Sequence, residues 1–333
     1  MAFLVNPASA GGATGRRWPE LARRAAALGL VGDAYLSEGP GHLTALARQA
    51  VADGATLLVA VGGDGTVNEV VNGIVGADVD LAIIPRGTGV DFVRTFGIPE
   101  RFKNAIEVAT GDRTRIVDVG RATYRTWAGG QAESYFANIA SVGMSGAVAK
   151  RTNETPKVLG GKVSYLWATL AVFARWEAAE VRVSVDDDIR GGLMHDVVVA
   201  NGRYFGGGIM ICPEAEPDDA RFDVLLIGDL TKRDLVQTMH KTYKGKHLPH
   251  PKAELLRGAI VSVDAPQALP IELDGEQPGT TPVRFDIVPG ALRLRVPGSA
   301  RAAAASRGAG GTLQRGGGAL RPRRSLLRRL RAR

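Results

Sequence analysis

The sequence predicts an α/β N-terminal domain with a parallel sheet, followed by a mainly antiparallel, β-sandwich-like C-terminal domain. Three observations carry this expectation. Apolar strand-like runs alternate with amphipathic helical patterns through the first third of the chain, the order expected of a parallel sheet covered by helices. From about residue 114 onward, short strand-like runs separated by turn residues take over. The 333 residues are enough for two domains, each with its own core.

In the first part, Ala2–Asn6 reads as a short apolar strand. Arg16–Leu28 reads as an amphipathic helix with Trp18, Leu21 and Ala25 on one stripe. Asp33–Leu36 is a second strand and Leu43–Ala52 a second helix. Thr56–Val61 is a buried strand, a helix runs from about Thr66 to Val75, and Leu81–Ile84 is the next strand. In the second part, Ile116–Val119, Tyr135–Ile139, Val181–Val185, Asp196–Ala200, Asp223–Ile227, Ala259–Val263, Ile271–Leu273, Val283–Ile287 and Leu292–Val296 read as strands. Helices are expected near Val163–Trp176 and Lys232–Tyr243. The domain boundaries fall at 1–120 and 121–297, with the last strands free to return to the first domain. Residues 298–333 are rich in Gly, Ala and Arg and read as a disordered basic tail.

The net charge of +8 comes from that tail. Residues 301–333 carry ten arginines and no acid, and removing them leaves −2 for the rest. A near-neutral body argues against nucleic acid as a partner, which would call for a basic face on the domain itself. One cysteine, Cys212, excludes an internal disulfide and fits a reducing, cytoplasmic setting. The stretch Val163–Trp176 is too short and too polar to span a bilayer.

The chemistry-bearing feature is Gly62-Gly63-Asp64-Gly65-Thr66. It follows a buried strand and is continued by Val67, Asn68 and Glu69 at the start of a helix. Glycines at the carboxyl end of a parallel strand allow close approach of a phosphate, and a helix N-terminus supplies amide donors. Asp64 would repel a bare phosphate, so it makes sense beside Mg²⁺. Thr66 is placed to cap the helix and donate to phosphate. The chain lacks Gly-x-x-x-x-Gly-Lys-Ser/Thr and the signature segments of protein kinases.

Four further segments accompany it. They are Asn6-Pro7-Ala8-Ser9-Ala10-Gly11-Gly12, Pro85-Arg86-Gly87-Thr88-Gly89-Val90-Asp91-Phe92, the acidic stretch Pro213–Asp223, and Leu273-Asp274-Gly275-Glu276. Together they resemble the diacylglycerol kinase catalytic-domain family, which includes bacterial soluble lipid kinases and is related to sphingosine and ceramide kinases. The Gly-Gly-Asp-Gly-Thr run is shared with NAD kinases and, more loosely, phosphofructokinases, so the resemblance implies an N-terminal domain like theirs.

The resemblance implies an ATP-dependent, Mg²⁺-assisted kinase acting on a lipid hydroxyl of the diacylglycerol or sphingoid type. Nucleotide contacts fall on Asn6, Pro7, Ala8, Ser9, Ala10, Ser37, Gly63, Asp64, Gly65, Thr66, Val67, Asn68, Glu69 and Thr88. Asp64, Asp91 and Asp118 form a carboxylate network, and Glu276 is the general base. Glu216, Asp219 and the Arg221 carbonyl match a structural Mg²⁺ loop. Lys157 or Lys162 stands where a family lysine reaches the site.

Ala10 replaces a usual glycine and Val90 a usual Asn, and Arg16 or Arg17 stands in for a family lysine. His240, His247 and His250 read as part of a wet loop, not a metal site. A membrane-borne acceptor implies peripheral contact with the inner membrane face, for which the Arg-rich tail and the Lys241, Lys244 and Lys246 region are candidates. Family members are often dimers. Two alternatives stay open: an NAD kinase, and a non-catalytic nucleotide- or membrane-binding relative.

Overall fold

The structure is a computed structural model, which describes residues 1–87, 89–154, 171–173 and 175–298. Thr88, Lys157, Lys162, most of the expected helix near Val163–Trp176 and nearly all of the basic tail lie outside the described residues.

The N-terminal part runs β1 (Ala2–Val5), α1 (Ala13–Ala27), β2 (Asp33–Leu36), α2 (His42–Ala52), β3 (Leu57–Gly62), α3 (Asp64–Ile74), β4 (Asp80–Pro85), α4 (Asp91–Thr95) and α5 (Phe102–Thr110). Strands pair in parallel in the order β2-β1-β3-β4. Side chains alternate across a strand, so each strand feeds two cores. Leu4, Leu58, Ala60, Leu81 and Ile83 pack with Leu43 and Ala47 of α2 and Val67, Val70 and Ile74 of α3. Phe3, Val5, Val59, Val61, Ala82 and Ile84 pack on the other face with Trp18 and Leu21 of α1 and Ile106 of α5. This two-sided burial explains the unbroken apolar runs.

The second part contains β5 (Thr114–Thr126), β6 (Gln131–Phe136), β7 (Ile139–Gly143), α6 (Met144–Glu154), β8 (Ala179–Val185), β9 (Asp188–Ala200), β10 (Tyr204–Phe205), β11 (Ile209–Met210), β12 (Phe222–Gly228), α7 (Lys232–Thr242), β13 (Ala253–Gly258), β14 (Ile260–Asp264), β15 (Ile271–Leu273) and β16 (Gly279–Arg295). Pairing among these strands is antiparallel. Their inner faces close on Phe136, Phe222 and Phe285, with Phe136 stacked on Phe222 at 5.6 Å and edge-on to Phe285 at 5.8 Å.

Three sequence expectations change here. Val283–Ile287 and Leu292–Val296 are one strand, β16, because pairing with β5 resumes after a register shift between Val288 and Leu292. Its far end pairs in parallel with β4 through Arg293 and Leu294, joining both parts in one sheet. Tyr135–Ile139 is broken at Ala137-Asn138, whose amides turn toward the half-buried Asp274 carboxylate. The histidine stretch is not a wet loop as a whole. His247 is 6% exposed and its Nε2 lies 3.0 Å from the Ile211 carbonyl.

Candidate active site

Connections from β1 and β3 leave in opposite directions, so the carboxyl ends of these two strands flank the switch point of the parallel sheet, where ligands bind in open α/β folds. The Asn6 and Gly63 loops meet there. Asn6 N–H donates to the Val61 carbonyl at 3.1 Å and its Nδ2 donates to Thr66 Oγ1 at 3.1 Å. Asn6 Oδ1 accepts from Ala8 N–H at 3.0 Å, while Ser9 Oγ donates to the Asn6 carbonyl at 2.9 Å and Pro7 O accepts from Gly15 N–H at 3.0 Å. The loop is thus tied down by its own polar groups, with Ala8 and Ala10 exposed.

Ala10 adopts φ 51°, the left-handed region, which is the physical reason for a glycine there. Of the two candidate arginines, Arg16 reaches the loop through the Gly11 carbonyl, at 3.3 Å, whereas Arg17 pairs with Glu20 at 3.2 Å. Ser37, at the end of β2, bonds back to Val5 O through its N–H at 2.9 Å.

The second loop is set by contact between backbones. A Cβ at Gly87 would stand 2.7 Å from Gly63 Cα, so the close approach of the β3 and β4 loops requires glycine at 87. Helix α3 begins at Asp64, earlier than expected, with Gly63 at its N-cap. Thr66 is therefore inside the helix, buried, and bonded to Asn6 instead of capping.

The side chains of Val67, Asn68 and Glu69, all expected at the nucleotide, are turned elsewhere, that of Asn68 donating to the Asp274 carboxylate at 3.0 Å. Val67 is 3% exposed in the core. Glu69 Oε2 accepts from Leu43 N–H at 3.0 Å, capping α2, which lacks a side-chain cap of its own. Gly65 is exposed beside them.

Asp64 accepts from Asp91 N–H and Phe92 N–H, both at 3.2 Å, holding the N-terminus of α4. Burial, then the neighbouring Asp91 carboxylate, pushes its carboxyl up to about 7, with Asp274 adding to the rise. Asp91 is 4% exposed, with Oδ1 2.5 Å from Arg94 Nη1 and Oδ2 2.6 Å from Gly207 N–H. The Arg94 guanidinium in turn lies 5.6 Å from the Tyr204 ring centroid.

Asp118 does not join this group. Its Oδ2 accepts from Ala220 N–H at 2.7 Å and its Oδ1 from Gly290 N–H at 2.8 Å, so it ties the acidic loop to the β16 bend. Asn201 Nδ2 bridges the Asp118 and Ala137 carbonyls at 2.8 Å each.

Asp274 and Gly275 form the two central residues of a tight turn, with φ 48° and 95° and paired backbone bonds between Leu273 and Glu276. Asp274 is more than a turn residue. Its carboxylate accepts from Ala137, Asn138 and Ile139 N–H at 2.8, 3.0 and 2.9 Å and from Asn68 Nδ2 at 3.0 Å. The sequence reading missed this role for Asp274, although its charge interrupts an apolar run. Glu276 is exposed at the turn's far side. Beside it, Trp127 Nε1 donates to the Gln277 carbonyl at 3.2 Å.

The carboxylates of the acidic loop face arginines or solvent. Asp219 Oδ2 is held by Arg257 at 2.7 Å and Asp218 by Arg115 at 2.6 Å, while Glu216 and Arg221 are exposed. Among the described residues no cluster of three or more His, Cys, Asp or Glu side chains is arranged to hold an ion. The Asp64 surroundings differ. Burial and the nearby Asp91 and Asp274 carboxylates raise the Asp64 pKa, an electrostatic setting that a hard, oxygen-loving cation relieves.

A parallel α/β sheet with a glycine-gated acidic loop at its switch point, fused to an antiparallel sandwich, defines the class of kinases built on this two-part fold. Residues 1–122 match the family described as Diacylglycerol kinase catalytic domain, and residues 138–296 match the YegS C-terminal NAD kinase beta sandwich-like domain. A Pseudomonas aeruginosa protein named Probable lipid kinase YegS-like is 33% identical over 77% of this chain and 82% of its own length. A Staphylococcus haemolyticus Diacylglycerol kinase is 27% identical over 85% of this chain and 84% of its own. A solved diacylglycerol kinase structure from Bacillus anthracis shares the fold, with a TM-score of 0.67 and 22% identity over 89% of this chain and 96% of that one. The chain belongs to the diacylglycerol kinase catalytic-domain family.

Proposed function

We propose that this chain transfers the γ-phosphate of ATP to the hydroxyl of a lipid. The observation that carries the reading is the junction of three segments at the switch point: the Asn6 loop, the Gly63–Gly87 contact with Asp64 beneath it, and the Asn68–Asp274 link to the Glu276 turn. Loop amides and the α3 N-terminus would bind the nucleotide phosphates. Arg16 would add the positive charge that a lysine supplies in relatives. Asp64 would hold Mg²⁺, which when bound neutralises phosphate charge and orients the transferred group.

Glu276 would accept the hydroxyl proton. It needs to come within about 3 Å of that hydroxyl, and it is exposed on a turn whose Asp274 is tied to the Ala137–Ile139 amides. Asp274 would act as a positioning residue for Glu276. Catalysis would rest on placement and charge neutralisation.

The acceptor resides in a bilayer, so the chain would work peripherally at the inner face. Among the described residues no helix is long and apolar enough to cross a membrane. The Lys241, Lys244 and Lys246 segment and the Arg-rich C-terminal stretch would supply contact with anionic lipid.

The test is transfer of label from γ-labelled ATP to purified lipids, with the product identified by mass. A labelled phospholipid that disappears in Asp64→Ala supports the reading. Unchanged labelling in both Asp64→Ala and Glu276→Gln contradicts the roles assigned.

A further inference from the structure

Glu272 is a carboxyl group to which the lipid kinase reading gives no role. It lies on β15 between Ile271 and Leu273, both in the core of the C-terminal part, and strand alternation points it away from them. It is 5% exposed. A carboxyl group so deep costs stability unless its polar atoms find partners. Both oxygens do. Oε1 accepts from Gly275 N–H, and Oε2 lies 2.9 Å from the hydroxyl of Ser141, the residue opposite on β7.

The Gly275 bond places Glu272 inside the turn that presents Glu276. Asp274 N–H donates to the Ile139 carbonyl at 3.0 Å and Glu276 N–H to the Leu273 carbonyl at 3.0 Å, both backbone partners. Gly275 N–H belongs to the central peptide of the turn, and its partner is the Glu272 side chain. Two-residue turns of types I′ and II′ differ in the rotation of that central peptide. A side chain that holds its N–H therefore decides which way the turn faces, one residue before Glu276. The Asp274 carboxylate fixes where the turn sits, through the Ala137–Ile139 amides, and Glu272 fixes how it is rotated.

Building on the lipid kinase reading, we propose that Glu272 is a positioning residue for phosphoryl transfer: braced by Ser141, it holds the central peptide of the turn and so aims Glu276 at the acceptor hydroxyl. It acts through Gly275 and not on the reacting atoms. A displacement of about 1 Å in a reacting group can cost about 100-fold in rate.

The surroundings of Glu272 give this tie a pH dependence. Burial, then the Asp274 and Asp196 carboxylates, push its carboxyl up to about 8. Asp196, on β9, accepts from Ser145 N–H at 3.2 Å at the start of α6. Among the described residues the elements packed on β15 bring no cation to this end: β7 is uncharged throughout, as are Met144–Ala149 of α6 and Gly279–Val283 of β16. Below about pH 8 the group is neutral, receiving Gly275 N–H on one oxygen and turning its own proton to Ser141 Oγ. Above it, a negative charge faces the Asp274 carboxylate of the same turn. Glu272→Gln rebuilds both bonds, carbonyl to Gly275 and amide to Ser141, and cannot ionise.

The experiment uses the full chain with ATP and a diacylglycerol in detergent micelles, and measures kcat and KM across pH for wild type, Glu272→Ala and Glu272→Gln. Glu272→Ala is expected to lose about 10–100-fold in kcat with the KM for ATP unchanged. Glu272→Gln is expected to recover most of that loss and to abolish the fall in kcat that wild type shows above about pH 8. In protein labelled at glycine nitrogen, the Gly275 amide resonance is expected to titrate near pH 8 in wild type and to stay flat in Glu272→Gln. If Glu272→Ala fails to fold, the Glu272→Gln comparison decides. Superimposable pH profiles for wild type and Glu272→Gln, or a Gly275 amide that does not respond to Glu272, overturn the inference while leaving the kinase reading intact. A titrating Gly275 amide with no phosphoryl transfer sustains the hold of Glu272 on the turn and overturns the kinase reading.

Discussion

Asn68 and Asp274, 206 residues apart, share a hydrogen bond of 3.0 Å from the Asn68 amide to the Asp274 carboxylate. It fastens the helix behind the phosphate loop to the turn that carries Glu276. The same carboxylate collects the amides of Ala137, Asn138 and Ile139 at the break between β6 and β7. One half-buried carboxylate therefore fixes three segments, and its removal strands several donors at once.

Asp274→Ala is accordingly expected to cost about 2–4 kcal/mol of stability in denaturant unfolding, since the abandoned amides stay buried. Asn68→Ala removes one donor and is expected to cost about 1 kcal/mol. Its larger effect falls on kcat, through a loosened turn. Equal stability losses for the two variants would contradict this ranking.

Gly87→Ala places a methyl 2.7 Å from Gly63 Cα, a backbone atom that cannot rotate away. The two loops must separate, at about 1–3 kcal/mol, and ATP binding measured by calorimetry weakens with them. Gly65, whose added methyl meets nothing within 4 Å, serves as the control, and Gly65→Ala is expected to change stability far less.

Ala10→Gly relieves a left-handed backbone at φ 51°. A gain of about 1 kcal/mol in stability is expected, the inverse of most loop substitutions. A loss on thermal or chemical unfolding would show that the Ala10 methyl contributes packing that outweighs its strain.

Glu272 supplies a pH signature. Burial pushes its carboxyl from 4.5 up to about 8. Between those values the folded chain holds a proton the unfolded chain has released, so stability falls as pH rises from about 4.5 to about 8. Glu272→Gln removes that contribution and should flatten the slope, leaving the variant more stable than wild type above pH 8. Parallel stability–pH curves for the two proteins would contradict the burial argument.

The parallel half of the fold was legible because its strands are buried on both faces and read as continuous apolar runs. The long β16 was not, since Pro289 and Gly290 look like a terminus, whereas pairing with β5 resumes beyond the bend. Within the site, Asn6, Gly63 and Asp64 were legible from loop chemistry. The side-chain directions of Val67 and Glu69 were not legible, because proximity in sequence hid the helical rotation that turns one to the core and the other to α2. Asp118 was expected in the cleft, yet an Asp on a strand looks alike whether it meets metal or the amides of Ala220 and Gly290. The Asn68–Asp274 and Ser145–Asp196 pairs were invisible because nothing local marks partners so far apart.

The most direct test of the central claim incubates the purified chain with γ-labelled ATP and Mg²⁺, offering a total lipid extract and NAD side by side, for wild type and Glu276→Gln. The account predicts label in a phospholipid product, none in NADP, and a loss of roughly 10²–10⁴-fold in rate for the variant. Label in NADP with none in lipid would contradict it.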